Sequence, residues 1–294
     1  MSIARLLAGV LVSTILLASP AAVADPWPDE DALVAAAPPA REIAAETFDG
    51  GQRLVTGTVQ ASMPASRRGS KMLLILTLRC GTEVLRNSQN VARGTTATLT
   101  PRLLVPDARA CSLWAQSVAL GGPPDEELLV SGVLRAGPEV IGGRGYSPGG
   151  QPVRITAGEA LEVVPVMWTV PDGVRLLAVV GDVKTTTCTV VGGSRENGSP
   201  YLCEHHVDPA GSSIRVSVEV EYPGSLCPVL PVAVRDVFVD PVRHHVMTYQ
   251  AGVVPVLRLC GSTVRVAVVV QALSGSDLVV HAQGTVAAVM SRAS

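Results

Sequence analysis

The sequence predicts an all-β protein of two tandem, disulfide-stapled β-sandwich domains that follow a signal peptide. The first observation is strand periodicity: Ile214, Val216 and Val218 alternate with Arg215 and Ser217, which gives a strand one apolar and one polar face. The second is spacing, because such segments recur about every 8 to 12 residues with Gly, Pro and Asp between them. The third is composition: aromatic residues make up only 3% of the chain, and abundant β-branched residues favour sheets over helical bundles.

Residues 1–24 have the features of a secretory signal peptide. Arg5 supplies the positive start, an apolar run extends from Leu6 to Leu17, and Ala22-Val23-Ala24 forms a small-residue cleavage site before Asp25. No later apolar run reaches the roughly 18 residues of a membrane-spanning helix. We therefore expect a secreted, extracellular protein with no membrane span in the mature chain, and the Ala-, Val- and Arg-rich composition indicates a bacterial source.

The mature chain divides by composition into four parts. An acidic, Ala- and Pro-rich leader covers residues 25–46 and is expected to be mobile, with a helical turn at 40–46. A first β-sandwich is predicted at 47–136, followed by a Gly- and Pro-rich linker at 137–152 and a second β-sandwich at 153–294. In the first sandwich, the polar stretch after Cys80 is not predicted to be a strand.

Two short internal similarities favour two related units. Residues 94–107 can be laid on 158–172 with one insertion, so that two proline positions coincide, and residues 78–84 resemble 257–264. The second similarity predicts that Cys260 lies in a strand comparable to that of Cys80. Both matches are short, and chance in a low-diversity composition explains them about as well as a true repeat does.

Six cysteines follow the signal peptide, and an even number in an exported chain predicts disulfides. Six cysteines allow 15 pairings, and we expect the sequential one. The zinc alternative fails because no two cysteines lie within a few residues of each other. If the sulfurs of Cys80 and Cys111 meet, that bridge is expected to staple the first sandwich across its core. The predicted pairs are Cys80 with Cys111, Cys188 with Cys203, and Cys227 with Cys260.

The general architecture resembles Ig-like or Fn3-like sandwiches, and this resemblance is architectural only. The interval from Cys80 to Cys111 is short for the bridge between the two sheets of an Ig domain, and the characteristic Trp between the cysteines is missing. No motif identifies a family.

The motifs that carry chemistry are weak. Ser147 lies in a G-x-S-x-G match, but Pro148 follows it and has no N–H for an oxyanion hole, so a loop is expected here rather than an esterase site. A metal site could use His205, His245 and Asp208, although neighbouring residues of a strand point to opposite faces, so each histidine pair could lend only one ring. Carboxylate pairs such as Glu219 with Glu221 and Asp236 with Asp240 are available for glycoside hydrolysis, but alternation with valines places the first pair towards solvent.

Binding to carbohydrate would use exposed aromatic rings, and Trp114 and Trp168 are the candidates, with core packing the simpler expectation for each. The formal net charge of −2 becomes −3 when Arg5 is removed with the signal peptide, which argues against a nucleic-acid partner. We expect a non-enzymatic binding or structural protein without a cofactor, whose partner is an unknown extracellular protein or cell-envelope component. The alternative is a secreted hydrolase or metal-dependent enzyme that uses His205 and His245 with nearby carboxylates.

Overall fold

The structure, a computed structural model, describes residues 37–68, 71–120, 127–145, 153–187, 211–240 and 245–291. Within these ranges the chain forms 17 β-strands and one short 3₁₀ turn, and every paired strand is antiparallel to its neighbours. The strands build four sheets that pack as two sandwiches. The predicted all-β fold class with tandem disulfide-linked sandwiches is therefore confirmed.

Sheets I and II form the first sandwich. Sheet I has the strand order β1-β7-β3-β4, whereas in sheet II β5 and β6 lie end to end on one side of β2 and β8 lies on the other. The inward side chains of both sheets make one apolar core. The strands are β1 (Arg41–Thr47), β2 (Arg53–Ser62), β3 (Lys71–Cys80), β4 (Glu83–Ala92), β5 (Thr96–Leu99), β6 (Arg102–Val105), β7 (Ala110–Leu120) and β8 (Leu129–Glu139).

Sheets III and IV form the second sandwich around a Val-rich core. In sheet III, β9 and β10 pair with one side of β17, and β12 and β15 follow on its other side. Sheet IV has the order β11-β16-β13-β14. The strands are β9 (Gly142–Gly145), β10 (Val153–Ile155), β11 (Ala160–Thr169), β12 (Leu176–Thr186), β13 (Ser212–Glu221), β14 (Leu230–Val239), β15 (His245–Pro255), β16 (Thr263–Gly275) and β17 (Leu278–Ser291).

The pairing pattern of the second sandwich is a circular permutation of the first. In sheet III, β15, β12 and β17 occupy the positions that β1, β7 and β3 have in sheet I, and β9 and β10 together occupy the position of β4. In sheet IV, β11 takes the place of β5 and β6, β16 that of β2, and β13 that of β8. The first sandwich starts at β1, whereas the second starts at the counterpart of β4 and ends at the counterpart of β3. The connection from β13 to the counterpart of β1 contains β14, which has no equivalent in the first sandwich.

This permutation decides between the two internal similarities. Residues 94–107 contain β5 and β6, and residues 158–172 contain β11, which occupies the equivalent position in the second sandwich. Each segment then runs through a turn into a central strand, β7 in the first sandwich and β12 in the second. The similarity of 78–84 to 257–264 is not structural, because the first lies in the hairpin between β3 and β4 while Arg258–Cys260 is a 3₁₀ turn between β15 and β16. The prediction that Cys260 lies in a strand is wrong.

Three segments differ from the sequence predictions. Arg41–Thr47 forms β1 along β7, so the expected helical turn is wrong: the backbone groups of this segment complete an edge of sheet I. Gly142–Gly145, inside the expected linker, forms β9 against β17. The polar stretch Glu83–Ala92 is β4, held by a tight hairpin in which Gly81 has a φ of 60°.

Two of the predicted disulfides are present, and the predicted pair Cys188–Cys203 lies outside the described residues. Cys80 and Cys111 are directly opposite on β3 and β7, with Cα atoms 4.2 Å apart. They are therefore neighbours in sheet I, and the prediction that the bridge crosses the core is wrong: both sulfurs face the core from the same sheet. The second bridge, Cys227–Cys260, links the loop after β13 to the 3₁₀ turn, with Cα atoms 5.9 Å apart.

A second apolar layer joins the two sandwiches. The outer face of sheet II packs on the outer face of sheet III, so the central strand β12 is covered on both sides. The residues of this layer are Leu54 and Leu104 from sheet II, Val140, and Ala178, Val180, Val286, Ala288, Met290 and Tyr249 from sheet III.

We predict that Gly181→Ala destabilises the second sandwich. A Cβ at Gly181 would lie 2.5 Å from a methyl of Val268 and 2.8 Å from a methyl of Val218, so the core must shift. Overpacking of this kind costs about 1–3 kcal/mol of unfolding free energy, measurable by urea denaturation. Val268→Ala removes the nearer of the two obstructing methyl groups, so the double variant should lose less stability than the sum of the single variants. Additive losses would contradict the predicted clash.

Candidate functional site

The metal site predicted from sequence is not assembled in the described part of the chain. His205 and Asp208 lie outside the described residues, and His245 begins β15 opposite Thr186. Among the described residues, no group of three or more His, Cys, Asp or Glu side chains could hold a metal ion.

The two tryptophan candidates lie in different sandwiches. Trp114 is on the outer face of sheet I, opposite in direction to the buried Leu113, and its indole N–H donates to Ser112 Oγ at 2.9 Å. Trp168 is partly buried and packs against the core of the second sandwich, and a Cβ on Gly142 would lie 3.0 Å from its ring. The two rings therefore share no sheet face on which a sugar could stack.

Of the carboxylates considered for glycoside hydrolysis, Asp236 and Glu221 belong to a surface ladder of ion pairs on the outer face of sheet IV, and Glu219 accepts a hydrogen bond from Ser217 Oγ at 2.8 Å. Arg215 and Asp236 are cross-strand partners with two hydrogen bonds of 2.8 and 2.9 Å, and the arginine lowers the pKa of Asp236. Arg265 bridges Glu162 and Glu221 across three strands. The ion-paired carboxylates Asp236, Glu221 and Glu162 are solvated and matched by cations, an arrangement that stabilises neighbouring strands.

The buried charges lie between the sandwiches. Arg102 on β6 donates through Nη1 to Asp182 Oδ2 at 2.8 Å, and the two side chains are 11% and 0% exposed. The guanidinium carbon also lies 3.8 Å from the ring centre of Tyr249. Burial raises the pKa of Asp182 to about 6, although the charge and the hydrogen bond of Arg102 oppose the increase.

Lys184 and His281 continue this row along sheet III. They are cross-strand partners on β12 and β17, and each is only 5% exposed. Burial lowers the pKa of Lys184 to about 8, and burial followed by the charge of Lys184 lowers the pKa of His281 well below its usual value. All four ionisable groups face the joint between sandwiches, so we assign them to positioning the two units rather than to reaction with a substrate.

An open groove of about 650 Å³ lies beside the first disulfide. Its walls include Glu46, Thr47, Arg79 and Cys111. One acidic and one basic side chain at the edge of an open groove do not define a reaction. No pattern in the sequence predicted this groove.

The most unusual surface is the end of the second sandwich beside the second disulfide. Leu226 and Leu259 each adjoin a bridged cysteine, and each is 105% exposed relative to a reference extended residue. Val229, 48% exposed, lies in the same loop as Leu226. We name this surface, made of Leu226, Val229 and Leu259, the leucine tip.

Hydrogen bonds hold the loops of the leucine tip in place. The buried Tyr222 accepts the Leu257 N–H on its hydroxyl at 2.7 Å, which ties the two loops together beneath the disulfide. Ser225 Oγ donates to the Tyr222 carbonyl at 2.8 Å and accepts the Cys227 N–H at 3.2 Å. The leucines therefore project from a fixed base.

Arg258 attaches a third loop to this base. Its guanidinium donates to the carbonyls of Val170 at 3.1 Å, Pro171 and Val174 at 3.4 Å, all in the connection from β11 to β12. Sequence analysis missed the leucine tip because leucines in loops follow no strand period. The only available signal was apolar residues directly beside two cysteines in Gly-, Pro- and Ser-containing segments.

Comparisons with known proteins are distant. No protein-family model matches the chain, and no curated protein matches it. In the described residues, no helix is long and apolar enough to cross a membrane.

Solved structures with some similarity include the N-terminal CBM22-1–CBM22-2 tandem domain of a Paenibacillus barcinonensis protein, at 9% identity over 82% of this chain and 79% of that chain, with a TM-score of 0.28. A second is the infectious bursal disease virus Gx strain, at 10% identity over 82% and 58% of the two chains, with a TM-score of 0.29. We draw nothing about substrate or partner from similarities of this size.

We predict that Arg102→Met destabilises the protein more at pH 7 than at pH 5. At pH 7 the native Asp182 is ionised and paired, so the variant must either keep an unpaired buried anion, which typically costs about 3–5 kcal/mol, or take up a proton at part of that cost. At pH 5, below the folded pKa of about 6, the native carboxyl is already largely protonated, so the loss of Arg102 costs less.

In the native protein, too, the contribution of Asp182 to stability decreases as the pH rises. Because the folded pKa of about 6 exceeds the usual 3.8, folding binds protons between these values, and the contribution of Asp182 to stability falls as pH rises through that range. Denaturant unfolding of the variant, of Asp182→Asn and of the double variant at both pH values checks the prediction. An equal loss for Arg102→Met at pH 5 and pH 7 would refute it.

Proposed function

We propose that this chain is an exported, non-enzymatic binding protein that uses the leucine tip to attach to a component of the cell envelope. The single observation that carries the proposal is the pair of fully exposed leucines, Leu226 and Leu259, fixed side by side through the Cys227–Cys260 bridge. Exposed apolar side chains on a rigid base mark interaction sites, since a protein gains nothing in folding by presenting them to water.

The features of residues 1–24 and the two disulfides support export to an oxidising compartment. The position of the buried charges supports the non-enzymatic part, because Arg102, Asp182, Lys184 and His281 face the joint between sandwiches. The hydrolase or metal-dependent alternative depends on His205 and Asp208, outside the described residues, so no observation favours it.

Co-sedimentation of the mature protein with cell envelopes of the producing organism tests the proposal. We expect Leu226→Ser/Leu259→Ser to reduce the bound fraction about tenfold or more, because each buried leucine contributes roughly 1.5–3 kcal/mol. Cys227→Ser/Cys260→Ser should weaken binding less, since it frees the loops but keeps the leucines.

The matched control is Leu129→Ser/Val133→Ser, which removes two apolar side chains that are 62% and 51% exposed on β8 of the first sandwich. This control should bind envelopes like the unmodified protein. If the leucine-tip variant and the control bind equally well, the leucine tip is not the binding element.

A further inference from the structure

We propose that the partner of the leucine tip is a lipid bilayer, into whose interfacial region Leu226 and Leu259 insert. This inference rests on the proposed function and names the chemical class of its partner. It makes the protein a peripheral membrane-binding protein attached through loops.

The spacing of the two leucines suits simultaneous insertion. The bridged Cα atoms are 5.9 Å apart, and each leucine is one residue away, so the leucine Cα atoms are separated by no more than about 13.5 Å at 3.8 Å per residue. Both loops are fastened by the disulfide and by Tyr222. Binding therefore requires little ordering of the loops, which is the main cost that a flexible insertion loop incurs.

The charges around the leucine tip favour an apolar partner. The loops 223–229 and 257–262 contain no acidic residue, and their only basic residue is Arg258. That guanidinium, 37% exposed, donates to three backbone carbonyls and lies 3.7 Å from Asp172, so its charge is matched within the protein. Asp172, fully exposed in the adjacent turn, resists burial in hydrocarbon and so limits insertion to the interfacial depth of about 5–10 Å.

The size of the leucine tip favours lipid over a protein partner. A standard protein interface uses about 20–30 residues on each side, with regular hydrogen bonds. The leucine tip offers three aliphatic side chains at the ends of loops, with Pro228 and Gly261 beside them. A bilayer requires no directional partner, only apolar side chains that project beyond a polar surface.

The expected affinity is modest. Each leucine that becomes buried strengthens partitioning by roughly 10- to 100-fold, so two leucines give reversible attachment of the strength that a single acyl chain provides. Because the contribution is apolar, binding should depend little on lipid charge or on salt.

Flotation of the full mature chain with phosphatidylcholine vesicles, alone or mixed with phosphatidylglycerol, tests the proposal. We expect binding to both vesicles, retained in 0.5 M salt as hydrophobic insertion requires. Leu226→Ser/Leu259→Ser should reduce the partition coefficient about 100-fold or more, while Leu129→Ser/Val133→Ser should bind like the unmodified protein. Leu226→Trp should show fluorescence quenching by brominated lipids beyond that of the three native tryptophans.

The outcomes separate the two proposals. If vesicles are not bound while envelope binding still depends on the leucine tip, the lipid inference is wrong, the partner is a protein or polysaccharide, and the proposed function stands. If envelope binding does not depend on the leucine tip, both are wrong. Binding only to anionic vesicles that is lost in 0.5 M salt would also overturn apolar insertion, because it would show a charge-driven contact.

Discussion

The ion pair between Arg102 and Asp182 is the constraint on which the arrangement of the two sandwiches depends. The carboxylate lies on the central strand of sheet III with no exposure, and its cation comes from the other sandwich. Separating the two sandwiches would leave an unpaired charge on a largely apolar face. The ion pair therefore fixes how the sandwiches align with each other more than it adds to the free energy of unfolding. The ring of Tyr249 completes the enclosure of the guanidinium.

This joint explains the sequence of β12. Every residue from Leu177 to Thr186 except Ala178 is buried, because the core of the second sandwich covers one face and sheet II covers part of the other. A strand covered on both faces loses the alternation of apolar and polar residues, and LLAVVGDVKTT shows a continuous run interrupted by the groups that serve the joint. Gly181 is needed where Val268 approaches from the core side, and Asp182 is needed on the opposite side.

Strand periodicity allowed most of the fold to be predicted, because alternation is a local property: β2, β3, β7, β13 and β16 are all visible in the sequence. It missed β4, because polar Asn87 and Gln89 occupy the same face as the core residues Leu85 and Val91 and interrupt the apolar alternation. It assigned Gly142–Gly145 to a linker, since a strand of four residues without apolar side chains has no pattern. The direction of the Cys80–Cys111 bridge and the partner of Asp182 depend on which strands are neighbours. Neither could be predicted, because strand order is not encoded in any single segment.

The exposure of the leucine tip is not a consequence of incomplete packing beneath it. Tyr222 fills the space at the end of the core with 1% exposure, and Val220 and Val264 beside it are fully buried. The hydrogen bonds of the Leu257 N–H and the Cys227 N–H within this base hold the backbone beside Leu226 and Leu259 in place. Among the described residues nothing covers Leu226 or Leu259, so their apolar exposure carries a cost that burial against a partner would offset.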